Sequence, residues 1–170
     1  MDAQATPDGF ADFVRDRSRE LLRAAWLLTA NWASAEDLVQ IALSEAWPRW
    51  DSLETPAAYV HKILLTSYLR SQRRRWSDEI SYADLPDRVG NGDAYAAVDA
   101  HSQAATALAI LPPKQRAVVV LRYFVDLSEA ETARVLGCSV GAVKTHSSRA
   151  MATLRTAPGL AEVLRGGVTS

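Results

Sequence analysis

The chain has few of the residues that build disulfides, metal sites and membrane spans. Its 170 residues include one cysteine, Cys138, and three histidines that do not cluster, so we expect no disulfide, no metal site and no cofactor. No apolar run reaches the length that crosses a bilayer, and the first ten residues lack the charged start and apolar core of an export signal. We therefore expect a cytoplasmic protein without membrane insertion, in which Cys138 is a small buried turn residue.

The chain also lacks a net charge of one sign, because 19 basic side chains oppose 20 acidic ones. The charges nevertheless separate by segment. Residues 61–76 hold five basic and no acidic side chains, whereas residues 77–100 hold one basic and six acidic ones. Residues 101–157 hold seven basic and three acidic side chains. Two basic segments separated by an acidic one predict two nucleic-acid contacts, with the acidic segments facing other partners or shielding the basic ones.

The acidic segment also predicts the domain organisation. Residues 77–100 lack a sustained helical stripe and contain Pro86, Gly90 and Gly92, which is typical of a tether. The sequence on either side has helical periodicity; only AVVVLRYFV, residues 117–125, could form a buried strand, and it has no partner strand. We therefore predict an all-α protein with two small helical modules, 8–76 and 101–157, joined by a flexible acidic linker over 77–100.

Residues 128–149 have the spacing of a DNA-binding helix-turn-helix. Ser128 is a good cap for a first helix, Gly137 can end that helix in the left-handed conformation, and Ser139 can cap a second helix. The second helix has a mainly apolar stripe predicted to face inward: Val140, Val143, Ser147, Ala150, Met151 and Leu154. Beside and beyond this stripe lie short polar and basic side chains that suit a major groove, namely Lys144, Thr145, Ser148 and Arg149. The alternative is a pair of core helices with a solvated face.

The amino-terminal module contains three predicted helices. The first runs from about Phe10 to Thr29 on an apolar stripe. The second is predicted to begin at a capping box at Ser34 and to end at Pro48, with Glu36, Asp37 and Gln40 among its outward-facing side chains. The third begins at Thr55-Pro56, a cap followed by proline at the first helical position, and becomes strongly basic toward its end.

The third helix combines basic and aromatic side chains. Its five positive charges are Lys62, Arg70, Arg73, Arg74 and Arg75, and the aromatic residues Tyr59, Tyr68 and Trp76 lie between or beside them, with Trp50 upstream. Cations neutralise phosphates and rings stack on exposed bases, so this pattern favours binding to single-stranded or melting nucleic acid. The alternative is that the rings are core residues and that the basic end complements the helix dipole.

Three segments together resemble one family. SAEDLVQIALSEAW, YVHKILLTSYLRSQRRR and the later LPPKQRAVVVLRYFVDLSEAETARVLGCSVGAVKTHSSRAMATLR are similar, in that order, to bacterial sigma factors of the extracytoplasmic-function (ECF) group, and most similar to its actinobacterial SigE-like members. The resemblance implies that the first module is sigma region 2, that the second is sigma region 4, and that the protein is a transcription initiation factor. It also implies core RNA polymerase, promoter DNA and an anti-sigma factor as partners, with the polymerase supplying the catalysis.

The resemblance assigns residues to three surfaces. Polymerase binding falls on Glu36, Asp37 and Gln40. Binding to the minus-ten element falls on Trp50, Tyr59, Lys62, Thr66, Arg70, Arg73 and Arg74. Binding to the minus-thirty-five element falls on Lys144, Thr145, Ser148 and Arg149. The chain departs from the family pattern at Ile41, where an acid is usual, at Thr66, where asparagine is frequent, and at Ser147, where an apolar residue is usual.

Two other classes of protein are alternatives to a sigma factor. Another helix-turn-helix transcriptional regulator would account for the second module, but it would need an amino-terminal effector or receiver domain. The DLVQ helix and the basic third helix of the first module argue against such a domain. A nucleic-acid enzyme would need a phosphate-binding loop or a set of acid, base or nucleophilic residues at a usable spacing. The eight glycines form no such loop, and the sequence shows no such set, so we expect no enzymatic activity.

Overall fold

The computed structural model describes residues 5–81 and 99–157, and the side chains of residues 5–75 and 103–157. Within these ranges the chain is helical and contains no strand, which confirms the all-α prediction. A short 3-10 helix covers Trp47–Ser52, and one π-helical turn covers Val120–Phe124. The α-helices are α1 (Phe10–Thr29), α2 (Trp32–Ala46), α3 (Pro56–Ser81), α4 (Asp99–Leu108), α5 (Pro113–Val119), α6 (Glu129–Leu136) and α7 (Val140–Leu154).

Helix α1 has the predicted bounds, and α2 packs against both α1 and α3. The prediction that α2 begins at Ser34 was wrong. The side chain of Asn31 accepts a hydrogen bond of 2.9 Å from the backbone N–H of Ser34, so Asn31 is the cap and the helix begins at Trp32. Asparagine is as good a cap as serine. With Asn31 as the cap, the backbone N–H of Ser34 has a side-chain acceptor, which Asn31 would not supply if Ser34 were the cap.

The 3-10 helix after α2 is anchored by Trp50. The indole Nε1–H of Trp50 donates a hydrogen bond of 3.0 Å to the backbone carbonyl of Asp8, and the ring lies edge-on to Phe10 and Phe13 at centroid distances of 4.9 Å. The side chain is 7% exposed. Trp50 is therefore a core residue that ties the connection between α2 and α3 to the start of α1.

Helix α3 extends farther than predicted. It continues to Ser81, five residues into the segment predicted to be the linker, and α4 begins at Asp99. The acidic composition of this segment does not oppose helix, and the first residue that would break the hydrogen-bond ladder is Pro86. The rest of the predicted linker, residues 82–98, lies outside the described residues.

The apolar run at 117–125 is helical. It forms the end of α5 and the π-helical turn, and its first five residues, Ala117 to Leu121, are fully buried. Helix α5 packs against α7 on one side and against α1 and α3 on others. A helix buried on every face has no polar stripe, which is why its sequence also fits a buried strand.

The caps of the helix-turn-helix were predicted correctly. Ser128 Oγ accepts from the Glu131 N–H at 3.1 Å, and Glu131 Oε2 accepts from the Ser128 N–H at 2.7 Å, which makes a complete capping box. Gly137 ends α6 at φ 66°, and Ser139 Oγ accepts from the Ala142 N–H at 3.0 Å to begin α7. The prediction that Cys138 is buried was wrong, because its side chain projects from the turn into solvent.

The two modules pack against each other and share one continuous hydrophobic core. The guanidinium of Arg116, on α5, donates hydrogen bonds to three backbone carbonyls: Leu28 at the end of α1 (2.8 Å), Ala109 (3.0 Å) and Leu111 (2.9 Å). Helix α3 also packs against α6. Arg116 therefore joins the amino-terminal module to the loop between α4 and α5, a contact that the sequence analysis did not predict.

Candidate nucleic-acid interface

The exposed face of α7 carries the four predicted duplex-binding residues, Lys144, Thr145, Ser148 and Arg149. The opposite face is fixed by Val143, Ala150 and Leu154, each 0% exposed. The hydroxyl of Thr145 donates to the Gly141 carbonyl at 3.0 Å, whereas Lys144 is 67% exposed, with its Nζ 3.9 Å from Glu129 Oε2. Lys144 and Arg149 are thus both exposed, with Lys144 in one exposed ion-pair contact with Glu129, while the opposite face of α7 anchors the helix.

Val140 does not belong to the buried stripe in which it was predicted. It is 40% exposed, and Ser147 is half-buried. Val143 takes the inward position one turn later, where it packs with Val118 and Ala133. Periodicity alone therefore placed Val140, the first residue of α7, wrongly.

A second exposed surface follows α3. Five of the residues predicted to bind the minus-ten element are exposed: Lys62, Thr66, Arg70 and Arg74 recur at four-residue steps, and Arg73 lies next to Arg74. Their spacing places them along one side of the helix over about 18 Å. Thr66 Oγ1 donates to the Lys62 carbonyl at 2.6 Å, so this hydroxyl is held against the helix backbone. We refer to these five residues as the α3 stripe.

The aromatic side chains near the α3 stripe are mostly core residues. Trp50 is 7% exposed and Tyr68 is 0% exposed, so neither ring presents a face on which a base could stack. Burial raises the pKa of Tyr68, although the positive charges of Arg116 and Arg75 lower it. Tyr59 is half-buried, and the side chain of Trp76 lies outside the described part of the chain. For Trp50 and Tyr68, the alternative of a core residue is the correct one, because tertiary packing covers both rings.

The predicted polymerase-binding residues Glu36, Asp37 and Gln40 are exposed on α2. Asp37 also lines a groove of about 300 Å³ between α2 and the end of α3. The groove has carboxylates on its α2 side and guanidiniums on its α3 side, and Ile41 of α2, 42% exposed, also lines it. Its charged lining is Asp37, Glu45, Arg70, Arg74 and Arg75. An acidic surface and the end of the α3 stripe thus meet in one groove.

His61 is buried, which the sequence did not indicate. It is 4% exposed, its Nδ1–H donates to the Ala57 carbonyl at 2.8 Å, and its Nε2 lies 3.7 Å from Glu20 Oε1. Burial lowers the pKa of His61 below its usual 6.5, against opposing contributions from Ala57 and Glu20. His61 is therefore a neutral packing residue between α1 and α3 at neutral pH.

The described residues contain neither a cluster of side chains that could hold a metal ion nor a membrane-spanning helix. No three His, Cys, Asp or Glu side chains within 5–75 and 103–157 are placed to share a metal ion. Within residues 5–81 and 99–157, no helix is both long enough and apolar enough to cross a membrane.

Comparisons with known proteins match both modules. The Sigma-70 region 2 family matches residues 13–77, and the Sigma-70, region 4 family matches residues 101–154. The chain is 36% identical over 152 residues to the RNA polymerase sigma-E factor of Streptomyces coelicolor, a match that covers 86% of this chain and 84% of the relative. It is 35% identical over 156 residues to the ECF RNA polymerase sigma factor SigJ of Mycobacterium tuberculosis, covering 84% of this chain and 49% of that protein.

Solved structures of the same kind are similar in fold. The sigma factor RpoE in complex with the anti-sigma factor NepR, from Bartonella quintana, aligns at a TM-score of 0.64 and 27% identity, covering 91% of this chain and 97% of that one. CnrH in complex with the cytosolic domain of CnrY aligns at 0.62 and 27% identity, covering 86% of this chain and 84% of that one. The likeness extends over both modules.

Proposed function

Because this chain belongs to the sigma-70 family, in its extracytoplasmic-function group, and is therefore a transcription initiation factor, we propose how its surfaces divide the task of directing RNA polymerase to promoters. The exposed face of α7 reads the minus-thirty-five element, the α3 stripe holds the minus-ten element, and α2 docks on the polymerase. The observation that carries this proposal is the exposed basic and short polar face of α7 on a fully capped helix-turn-helix.

The face of α7 suits double-stranded DNA. Thr145 and Ser148 are short, so the helix backbone can come close to the groove floor, while Lys144 and Arg149 have the reach to contact guanine edges or flanking phosphates. The buried side of α7 packs on α5 and α6, which holds the reading face at a fixed angle. A rigid support of this kind favours base reading over mere phosphate binding.

The α3 stripe suits contact with the phosphate backbone of a DNA strand more than recognition of its bases. Four of its five residues are cations, and their spacing over about 18 Å matches several successive phosphates of an extended strand. Trp50 contributes to this surface from the core, because its bond to Asp8 fixes the connection that leads into α3. Tyr59, half-buried near the start of the helix, is the ring best placed to touch a base.

Helix α2 contributes the protein interface. Glu36 and Asp37 give its outer surface a negative charge, and Gln40 adds an amide one turn later. A surface of this sign repels DNA and attracts basic protein, so it favours a polymerase contact over a DNA contact on α2. The polymerase performs the chemistry in the cytoplasm, and this chain contributes recognition.

An anti-sigma factor is part of the same proposal. The relatives RpoE and CnrH were solved in complex with NepR, an anti-sigma factor, and with the cytosolic domain of CnrY, respectively. Both align with this chain over both modules. We propose that this chain also binds an anti-sigma factor. The partner would cover the surfaces assigned above to DNA and polymerase.

Promoter libraries test the division between the two DNA contacts. Transcription by the reconstituted holoenzyme is measured on templates with randomised upstream and downstream elements. Arg149→Ala should cost about 1 to 3 kcal/mol and relax preference at one or two upstream base pairs if Arg149 contacts a base. The double variant Arg73→Ala, Arg74→Ala should slow strand opening and leave upstream preference intact. The control is Arg155→Ala, an exposed cation at the end of α7.

The division fails if the Arg149 variant changes only minus-ten preference, or if the Arg73 and Arg74 variant changes only minus-thirty-five preference. The polymerase contact is tested separately by Asp37→Arg, which should weaken binding to core polymerase while the helical circular dichroism signal stays unchanged. Asp16→Arg, an equal charge reversal on the exposed face of α1, is the matched control. Equal binding by both variants would refute the docking surface on α2.

A further inference from the structure

One large apolar side chain is exposed at the front of the helix-turn-helix. Val140 is 40% exposed at the first position of α7, directly after the cap Ser139. We propose that Val140 is a specificity residue that contacts the C5-methyl group of a thymine in the minus-thirty-five element. This inference rests on the proposed function of α7 and goes beyond it, because it assigns a base identity to a residue outside the polar set.

The position of Val140 places it in the reading row. Lys144 and Ser148 follow it at steps of four, so the three residues form one continuous row on the side of the predicted DNA contacts. In helix-turn-helix proteins, the residues at the amino-terminal end of the second helix reach base edges in the major groove. Val140 is the first residue of that end, ahead of both polar members of its row.

The backbone beside Val140 leaves room for close approach. The next residue is Gly141, which is exposed and has no side chain. A Cβ placed there would meet only the Ser139 hydroxyl, at 3.8 Å, so the space beside Gly141 is open. The front of α7 therefore presents the two methyl groups of Val140 next to bare backbone. DNA can come within van der Waals distance of those methyl groups.

The chemistry of valine selects one base. Valine has no hydrogen-bond donor or acceptor, and among the four bases only thymine presents a methyl group in the major groove. A cytosine at the same place would turn its amino group toward the valine and lose its hydrogen bonds to water. Valine also has one strongly preferred rotamer in a helix, so its methyl groups are held in place before DNA binds.

Packing does not account for Val140. The neighbouring inward position is filled by Val143, which is 0% exposed against Val118 and Ala133. Val140 is not one of the residues of that cluster and leaves 40% of its surface in water. An isolated exposed valine is ordinary surface elsewhere. Here it stands at the head of a row of residues aimed at base edges, and that position assigns it to DNA.

The test uses the holoenzyme reconstituted from core RNA polymerase and the full chain, with promoter duplexes whose upstream element is randomised. Wild-type protein should prefer thymine at one position near the amino-terminal end of α7. Val140→Ala should reduce that preference about fourfold, the loss expected for one buried methyl-sized group, and leave the other positions unchanged. The matched control is Ile110→Ala, since Ile110 is 53% exposed and lies in the loop between α4 and α5, outside the helix-turn-helix.

A second measurement removes the methyl group from the DNA instead. Replacing the preferred thymine by deoxyuridine should weaken wild-type binding about fourfold and should not weaken binding by the Val140→Ala protein further. If deoxyuridine has the same effect on both proteins, or if the variant keeps the wild-type preference at every position, the assignment of Val140 is overturned. A wild-type holoenzyme that shows no upstream preference at all would overturn the proposed function of α7, and this inference with it.

Discussion

Replacing Arg116 by alanine should destabilise the whole chain, because this one side chain joins both modules. Its guanidinium donates to the carbonyl of Leu28 in the amino-terminal module and to those of Ala109 and Leu111 in the carboxyl-terminal module. The bonds to Leu28 and Leu111 are partly buried, whereas the bond to Ala109 is exposed. Alanine would remove all three donors and leave two partly buried carbonyls without them.

The size of the effect follows from these contacts. A hydrogen bond to a charged group contributes about 1.5 to 3 kcal/mol, and exposed bonds contribute less because water replaces them. Two partly buried bonds, with some relaxation toward water, give a loss of about 2 to 4 kcal/mol in the free energy of unfolding. For a chain of this length, each kcal/mol lowers the melting temperature by about 2 to 4 °C, so the variant should melt roughly 5 to 15 °C lower.

Urea and thermal unfolding followed by circular dichroism measure this prediction. The wild-type protein should unfold in one transition, since the hydrophobic core runs through both modules. Arg116→Lys should recover only part of the loss, because an ammonium on a flexible stem does not match the planar fork that serves three carbonyls. Arg155→Ala is the control, because Arg155 is exposed. If Arg116→Ala unfolds at the wild-type midpoint, the contact between the modules does not contribute to stability.

Three further predictions concern stability. Acidification below pH 6.5 should destabilise the protein, because burial lowers the pKa of His61 in the folded state and the unfolded chain therefore binds a proton there first. His61→Gln should flatten this part of a pH–stability curve. Ser128→Ala should cost about 1 kcal/mol in urea unfolding, since it removes the cap of α6, and a cost near zero would refute the capping box in solution. Tyr68→Phe should not destabilise the protein, because the buried hydroxyl has no hydrogen-bond partner among the described residues; a loss above 1 kcal/mol by the same assay would show that it has one.

The parts of the fold predicted correctly from sequence are those fixed by local chemistry. Ser128, Gly137 and Ser139 each act on backbone groups within a few residues, so their identity and spacing are enough to define the helix-turn-helix. The bounds of α1 follow from one apolar stripe. The exposed cations of α7 and α3 were also predicted, because Lys and Arg seldom leave the surface.

The predictions that failed depend on what lies beyond the local segment. Trp50 and Tyr68 resemble stacking residues in sequence, yet other helices cover their rings. Val140 fits the inward stripe of α7, but it is 40% exposed. The bond from Arg116 to Leu28 spans 88 positions, and no pattern within either segment indicates it. Burial and long-range pairing depend on how the helices pack together. The local pattern around a single residue does not indicate them.

Transcription from a defined promoter tests the central claim most directly. Core RNA polymerase is mixed with this chain and with templates that carry, lack or scramble each of the two promoter elements selected by the holoenzyme. We expect initiation only when the chain is present, with loss when either element is scrambled, and we expect the isolated chain to bind the same DNA poorly at physiological salt. Tight, promoter-specific binding by the chain alone, without any initiation when polymerase is added, would contradict the account.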